Sequence, residues 1–334
     1  MDLTVRAATE ADLPAVLAIH TAQNDFGGRW FTNPFAGGKE ARYEDLAPAL
    51  RWLHGGPWMD PRLLALHVRR IAEAGGAVLV AERGGAVVGE GELWPAEEPL
   101  PIGAYLDIGT LITKDPGDAG AERALLEAAL REARRRDLRA LDIAPLHAGG
   151  DPERLTEAGF RVLLEHRTVH LPADRRPTPP AYSVLNTAPA VADLRDFLAL
   201  DHREPPAVRF GNLGNGWAEG LLKDVSQPFG GRLRVDLADV GVTGRVCAWL
   251  PEREVEIDLW APTAGVGNLP WLRRAVAAAV DYVARHHRAA LYRTAVPMHL
   301  VPALKGLGFE DGGDPDPWLR RHVLADAPWV IRNL

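Results

Sequence analysis

The chain has 334 residues, of which 47% are hydrophobic and 25% are charged, a composition typical of a folded protein with about two domains. Its formal net charge of −7 disfavours binding to nucleic acid, because an acidic surface repels phosphate backbones. The single cysteine, Cys247, excludes an internal disulfide and a cysteine-based zinc cluster. No apolar stretch is long enough to cross a membrane and the start of the chain is unlike a signal peptide, so we expect a cytoplasmic protein.

The first half predicts a strand and a helix, then three strands, and then helices that alternate with two more strands. In chain order, the clearest elements are a strand at 4–6, a helix from about 12, two β runs within 76–92, a strand at 104–112, a helix at 120–136 and a strand at 139–143. The helix at 120–136 is amphipathic, since its apolar residues recur at helical spacing. The loop at 113–119 leads from a strand into this helix, an arrangement that favours anion binding.

The same order of elements recurs in the second half. The strand at 104–112 corresponds to residues 254–262, and the closing Gly159-Phe160 corresponds to Gly308-Phe309. A proline-rich segment lies between the two copies and is typical of an extended spacer. We therefore predict a tandem duplication with a first domain at 1–171, a linker at 172–180 and a second, more divergent domain at 181–334.

Four stretches carry a resemblance to a known family: VRAATEADLPAVLAIH, GGAVVGEGELW, LDIGTLITKDPGDAGAERALLEAALREA and LTEAGF. Together they resemble the GNAT acetyltransferase superfamily, clearly over residues 3–171 and more weakly over 182–323. The resemblance implies an α/β fold with a mixed sheet, in two tandem GNAT-like domains. It also implies acetyl-CoA, or another acyl-CoA, as co-substrate and no metal.

The resemblance places the cofactor on one strand and the loop after it. In the family, the strand before the main helix offers backbone groups to pantetheine, and the next loop, Q/R-x-x-G-x-G/A, wraps the pyrophosphate. The strand role falls on Thr110, Leu111 and Ile112. The loop role falls on Gly117, Asp118, Ala119, Gly120, Ala121 and Glu122, with Arg123 beside them.

In the first copy, Gly120 alone matches the loop pattern, and two carboxylates lie close to it. The corresponding loop of the second copy contains no acidic residue. Its candidate cofactor-binding residues are Gly265, Val266, Gly267 and Asn268. By charge the second copy is the better phosphate site and by overall pattern the first is the better match, so the sequence leaves open which copy binds acyl-CoA.

The family often uses a carboxylate as base and a tyrosine as acid. The tyrosine position is occupied by Leu155 in the first copy and Leu304 in the second, so the usual acid is absent. Our candidate bases are Glu92, which shares a strand face with Glu90, and Asp107. An acidic row at Glu254, Glu256 and Asp258 is the counterpart in the second copy. A solvated strand face is the alternative explanation for each of these carboxylates.

About 26 additional residues of the first copy fall within 21–74 and contain Trp30, Trp52 and Trp58. These tryptophans either line an acceptor pocket or pack the extra segment, and the sequence favours neither role.

The sequence favours an N-acyltransferase that moves an acetyl group from acetyl-CoA to a primary amine of a small molecule or peptide by direct attack. We expect a monomer with internal pseudo-symmetry or a homodimer, with neither nucleic acid nor membrane as partner. The alternative is a catalytically degenerate GNAT-like protein that binds CoA, a metabolite or a protein partner.

Overall fold

A mixed sheet of fourteen strands runs through the computed structural model, which describes residues 2–34, 38–98, 102–184, 197–201, 230–237, 240–250, 253–262 and 267–323. Of residues 197–199, 230–237, 240–250 and 262 it describes the backbone alone. This sheet with its packed helices confirms the predicted α/β fold. No helix in the described ranges combines the length and the apolar character needed to cross a membrane.

The elements of the first half follow the predicted order. They are β1 (Leu3–Ala7), α1 (Leu13–Ala22), α2 (Pro48–Trp52), α3 (Pro61–Glu73), β2 (Ala77–Arg83), β3 (Ala86–Glu98), β4 (Gly103–Thr113), α4 (Ala119–Arg135), β5 (Ala140–Ile143), α5 (Pro145–Ala148), α6 (Pro152–Glu157) and β6 (Arg161–Pro172).

The second half repeats the strands that surround the main helix. Its described elements are β7 (Ser183–Val184), β8 (Phe197–Ala199), β9 (Gly230–Leu237), β10 (Val240–Leu250), β11 (Glu254–Pro262), α7 (Leu269–His286), β12 (Leu291–Pro297), α8 (Val301–Lys305), β13 (Glu310–Asp311) and β14 (Asp316–His322).

The two halves exchange their last strands at the centre of the sheet. The strand order is β1-β2-β3-β4-β5-β14-β6-β12-β11-β10-β9-β7. Thus β14, from the second half, lies between β5 and β6 of the first, and β6 lies beside β12 of the second. Pro172, the first residue of the predicted linker, is the last residue of β6. The domain boundaries stay a prediction, and the sheet is continuous across them.

The main helix of each half covers the sheet with an apolar face. Leu125, Leu126 and Leu130 of α4 are buried against Leu106 and Ile108 of β4. Each buried leucine side chain contributes about 1.5–3 kcal/mol to the free energy of unfolding. In the second half, the face of α7 from Ala275 to Val283 packs on β11 and β12 in the same way. These helices hold the strands whose separation forms the candidate site.

Candidate active site

The central parallel strands of the first half separate and leave a cleft. β4 pairs with β5 at Leu106, Asp107 and Ile108, where β5 ends, while β4 continues to Thr113. The register between β3 and β4 shifts at the same level, so that Glu92 faces Thr110 but Leu93 faces Ile108. This irregularity is a β-bulge, which bends a strand away from its neighbour. The edge of β4 beyond Ile108 therefore has no partner strand among the described residues, although Gln23 donates a hydrogen bond to the Thr113 carbonyl and Gly149 lies close to the Leu111 carbonyl.

A cavity of about 420 Å³ lies against this open edge. Its wall includes the predicted pantetheine residues Thr110, Leu111 and Ile112, and two of the predicted loop residues, Gly117 and Glu122. The remaining lining residues come from the end of α1 and the loop after it, from the turn that holds Trp58, and from the segment around α5 and α6. They include His20, Asp25, Trp58, Pro116, His147, Gly149 and Arg154.

Gly149 lets the backbone after α5 approach β4 closely. Its φ is +85°, and a Cβ atom there would lie 2.5 Å from the carbonyl oxygen of Leu111. Neither that conformation nor that distance is compatible with a side chain. A glycine is therefore required where the cavity wall meets the open edge of β4.

The amino terminus of α4, the predicted pyrophosphate site, is capped by its own carboxylate. Asp118 accepts a hydrogen bond from the backbone N–H of Ala121 and pairs with Arg83 at 2.8 Å. The Arg83 guanidinium, helped by this backbone N–H, lowers the pKa of Asp118. Gly120 lies against this carboxylate, since a Cβ there would be 3.3 Å from Asp118 Oδ1. The helix end thus already holds an anion of the chain itself.

The second acidic residue of the loop is also neutralised. Glu122 pairs with Arg154 of α6 at 2.7 Å and accepts a hydrogen bond from the N–H of Asp151. Ala119 and Arg123 face a second cavity, of about 430 Å³, between α4, α6 and β14. Of the predicted loop residues, Gly117 thus lines the first cavity, Ala119 and Arg123 line the second, and Glu122 lines both.

Two buried carboxylates of β3 lie behind the cavity wall. Glu90 Oε2 is 2.6 Å from His20 Nε2, and Glu92 accepts hydrogen bonds from Trp58 Nε1 at 2.7 Å and from His67 Nε2 at 2.9 Å. Both carboxylates are almost fully buried, at 0% and 1% exposure. The alternative of a solvated strand face is therefore wrong for Glu90 and Glu92.

The protonation of these two carboxylates differs. Burial raises the pKa of Glu90. Burial opposes ionisation of Glu92 as well, but His67 and the indole N–H of Trp58 outweigh it and lower the pKa of Glu92. Glu92, one of the two predicted bases, contacts Trp58 and Thr110, which line the cavity. Glu92 itself is not among the described residues that line the cavity, because Trp58 and Thr110 lie between it and the cavity. Its role as base stays a prediction.

Asp107, the other predicted base, lies deeper. It is 3% exposed and faces Asp142 of β5 in the parallel ladder, below the point where the strands separate. It too is outside the described lining of the cavity. Tyr105, two residues earlier, donates a hydrogen bond to Glu98, and burial raises its pKa well above the ordinary value. The role of Asp107 as base stays a prediction.

The corresponding edge in the second half is occupied. β11 and β12 also separate, after the pair Glu256 and Arg293. The next stretch of β11, Trp260 to Pro262, corresponds to residues 110–112 of the first half and pairs with the short strand β8. The chain thus places a strand of its own where the first half has an open edge.

The other second-half predictions have mixed outcomes. Asn268 caps α7 by accepting a hydrogen bond from the N–H of Trp271, and Gly267 precedes it. Gly265 and Val266 lie outside the described residues. The acidic row is buried instead of solvated at Glu256 and Asp258, so that alternative is wrong here also. Their carboxylate oxygens lie within 4.8 Å of one another and of Asp201.

Sequence reasoning missed His20, Asp25 and His147. His20 lies in the last turn of α1, which ends at Ala22. His147 is hydrogen-bonded to Asp316 at 2.8 Å. Burial raises the pKa of Asp25, which lines the cavity. The sequence predicts the helix that contains His20, but it gives no indication that this residue lines a cavity. The question left open for the tryptophans is resolved for two of them, because Trp58 lines the cavity while Trp30 packs against Leu46 and Met59.

The first half is thus a mixed sheet whose parallel central strands separate beside a helix amino terminus. No family model and no curated protein matches the chain. Several solved structures are similar to it. A GCN5-related N-acetyltransferase from Anabaena variabilis is 13% identical, with 97% of this chain and 73% of that chain covered at a TM-score of 0.60. Eis1 from Mycobacterium abscessus is 14% identical, with 96% and 74% covered at a TM-score of 0.53.

A third similar structure, a GCN5-related N-acetyltransferase from Kribbella flavida, is 14% identical, with 96% of this chain and 71% of that chain covered at a TM-score of 0.51. At such identities the likeness concerns the fold. The chain has the GNAT acetyltransferase fold over nearly its whole length, as the sequence resemblance predicted.

Proposed function

We propose that the chain transfers an acyl group from an acyl-CoA, with acetyl-CoA as the expected donor, to a primary amine of a small molecule or peptide. The observation that carries this proposal is the open edge of β4 beside the 420 Å³ cavity. A strand edge presents backbone N–H and C=O groups in a regular row, and an extended ligand with amide groups pairs with such a row as another strand would. The pantetheine arm of CoA is a ligand of this kind.

Two arginines close to the predicted pyrophosphate loop could bind a phosphate-bearing donor if the phosphate replaced their present carboxylate partners. Arg154 and Arg83 are held by Glu122 and Asp118, at a helix amino terminus whose dipole favours an anion. A pyrophosphate that displaces either carboxylate gains an arginine already in position. The cost of this exchange is the loss of one ion pair of the chain, which is small for the partly exposed pair of Arg83 and Asp118. It is larger for Glu122, which is 4% exposed and would lose its arginine.

Binding is proposed for the first half alone. In the second half β8 occupies the equivalent edge at Trp260 to Pro262, so an extended ligand has no row of free backbone groups to pair with. One acyl-CoA per chain follows from this arrangement.

The experiment is titration of the chain with acetyl-CoA by isothermal calorimetry, together with a thermal shift. We expect binding at one equivalent and stabilisation of the folded chain.

Pro116 is exposed at the cavity mouth, so a substitution there tests the effect of charge on binding. Pro116→Glu adds a negative charge near the proposed phosphate position and weakens binding by about fivefold, since a like charge costs about 1 kcal/mol at 4 Å in water. Pro116→Gln is the matched neutral control and binds as the unmodified chain does.

Absence of both heat and thermal shift at millimolar acetyl-CoA would overturn the proposal. So would an equal loss of affinity in both Pro116 variants, because the effect would then not be electrostatic.

A non-catalytic binding protein is the second candidate, and the capped amino terminus of α4 favours it. Release of free thiol from acetyl-CoA in the presence of an amine separates the two. A chain that binds acetyl-CoA without amine-dependent thiol release is a binding protein.

A further inference from the structure

Two histidines line the cavity and pair with a buried carboxylate, His147 with Asp316 and His20 with Glu90, and His20 is the more tightly held of the two. His20 lines the cavity at the end of α1, and its Nε2 atom lies 2.6 Å from Glu90 Oε2. Glu90 is fully buried, and its other oxygen, Oε1, has no hydrogen-bond partner among the described residues. The carboxylate therefore directs its interaction to His20 alone. A carboxylate that holds one nitrogen of an imidazole fixes the ring and leaves the other nitrogen for chemistry.

The ring of His20 is held from a second side. It stacks on the indole of Trp58, with ring centroids 5.4 Å apart and planes 14° apart. Trp58 is fixed in turn by its hydrogen bond to Glu92. Glu90 faces Ile112 across the ladder, and Glu92 faces Thr110, so both supports of His20 are anchored beside the open edge of β4. His20 is thus a rigid group next to the proposed thioester position.

We propose that His20 is the proton acceptor of the transfer, with Glu90 as its positioning residue. This inference rests on the proposed acyl-transfer function and adds the group that performs the proton transfer. Nδ1 is the atom that acts, because Nε2 is engaged by Glu90. Glu92 and Asp107, the bases predicted from the sequence, are buried and lie outside the described lining of the cavity.

The step balances with His20 alone. The amine nitrogen attacks the acyl carbon, the carbon–nitrogen bond forms, and one N–H proton moves to Nδ1 of His20. The carbon–sulphur bond then breaks and its electron pair leaves with sulphur. The proton returns from His20 to the thiolate, so the products are an amide and a free thiol. A single shuttling imidazole also explains how the site works with Leu155, a buried apolar residue, at the usual position of the acid.

Several titratable groups surround His20 and enter its pH dependence. Glu90 and Glu92 face it from β3, and His67 faces the same pair of carboxylates from α3. The other titratable residues that line the cavity are Asp25, Glu122, His147, Asp151 and Arg154. Asp25 and His147 are the rival proton acceptors among them, because both residues line the cavity.

The test is steady-state thiol release from acetyl-CoA with probe amines of different classes: phenethylamine, spermidine and a short peptide with a free amino terminus. His20→Gln is expected to lower kcat by about 100-fold or more, the usual contribution of a general base. Its Kd for acetyl-CoA, measured by calorimetry, stays within about threefold because the open edge of β4 is intact. We expect kcat/KM of the unmodified chain to fall at acidic pH and this fall to be absent in the variant.

Three further variants make the result specific. Glu90→Gln keeps the shape of the pair and moves the acid limb of the pH profile, which a merely structural role would not do. Asp25→Asn retains the acid limb. His286→Gln, at the exposed end of α7, is the matched control and has unchanged kinetics. Thermal unfolding of each variant shows whether it is folded.

The outcomes separate the two claims. Binding of acetyl-CoA without turnover of any probe amine overturns the transferase function and this inference with it. Turnover that survives in folded His20→Gln overturns the inference and leaves the function standing. Loss of the acid limb in Asp25→Asn, with His20→Gln still active, assigns the proton transfer to Asp25. If His20→Gln is unfolded, Glu90→Gln decides, and an unmoved acid limb there counts against His20.

Discussion

Arg320 of β14 donates two hydrogen bonds, each 2.8 Å long, to the two carboxylate oxygens of Asp142 on β5. The two residues lie opposite each other in the ladder and are buried, with side-chain exposures of 5% and 0%. Arg320 comes from the last strand of the second half, and Asp142 comes from the strand that borders the cleft of the first half. This ion pair therefore joins the two halves at the strand whose end opens the candidate site.

We predict that Arg320→Leu lowers the free energy of unfolding by about 3–5 kcal/mol, because it leaves the Asp142 carboxylate buried without its partner. Arg320→Leu combined with Asp142→Leu recovers much of this loss, since the pair is then replaced by apolar groups. Urea unfolding followed by circular dichroism measures both values. If Arg320→Leu lowers the free energy of unfolding by no more than the loss of a surface ion pair does, this contact does not hold the two halves together.

Gly149 gives a second prediction, about the wall of the cleft. Gly149→Ala places a Cβ atom 2.5 Å from the Leu111 carbonyl oxygen and at a φ of +85°, so we expect a loss of stability and weaker binding of acetyl-CoA. Gly85→Ala is the matched control, because Gly85 has a φ of +82° with nothing within 4 Å. Its loss is the strain alone, about 1 kcal/mol. Thermal unfolding of the two variants isolates the contact, and equal losses would mean that the approach to Leu111 is unimportant.

The dependence of stability on pH supplies a third prediction. The hydrogen bond from Arg135, with Arg136 nearby, lowers the pKa of Glu132 from 4.5 to about 2. A carboxyl group with a depressed pKa in the folded state contributes stability that is fully present above the unfolded pKa and is lost as the pH falls through the folded one.

Glu132 and its partners are partly exposed, so screening reduces this contribution to about 1 kcal/mol or less. We expect the free energy of unfolding to fall between pH 4.5 and pH 2 by that much less in Glu132→Gln than in the unmodified chain. Urea unfolding at several pH values measures the difference. Parallel curves for the two proteins would show that the pair contributes nothing.

Local patterns predicted the elements of the fold well. The helical spacing of the apolar residues identified α4, and the two β runs within 76–92 correspond to the hairpin of β2 and β3. The exchange of the last strands was beyond such patterns, because β14 reads as a strand with any neighbour. Its place beside β5 depends on pairing across some 180 residues, as between Arg320 and Asp142.

Burial of the acidic strand residues was unpredictable for a related reason. Alternating Glu90 and Glu92 look the same in sequence whether they face solvent or buried histidines. What buries them are His20 and His67, which lie 70 and 25 residues away on different helices. The occupied edge in the second half had no sequence signal either, since β8 is a strand of three residues.

The occupied edge leads to the final prediction. Leu198 of β8 faces Ala261 in the antiparallel ladder with β11, and Leu200 donates its N–H to the Leu259 carbonyl at 2.9 Å. Leu198→Pro removes a backbone donor in the middle of this short strand, which weakens the pairing.

We expect the unmodified chain to bind one equivalent of acetyl-CoA and Leu198→Pro to bind a second equivalent more weakly. Leu198→Ala keeps the N–H and stays at one equivalent. Two equivalents in the unmodified chain, measured by calorimetry, would show that β8 does not exclude the donor. One equivalent in Leu198→Pro would show that weakening this pairing does not open a second site.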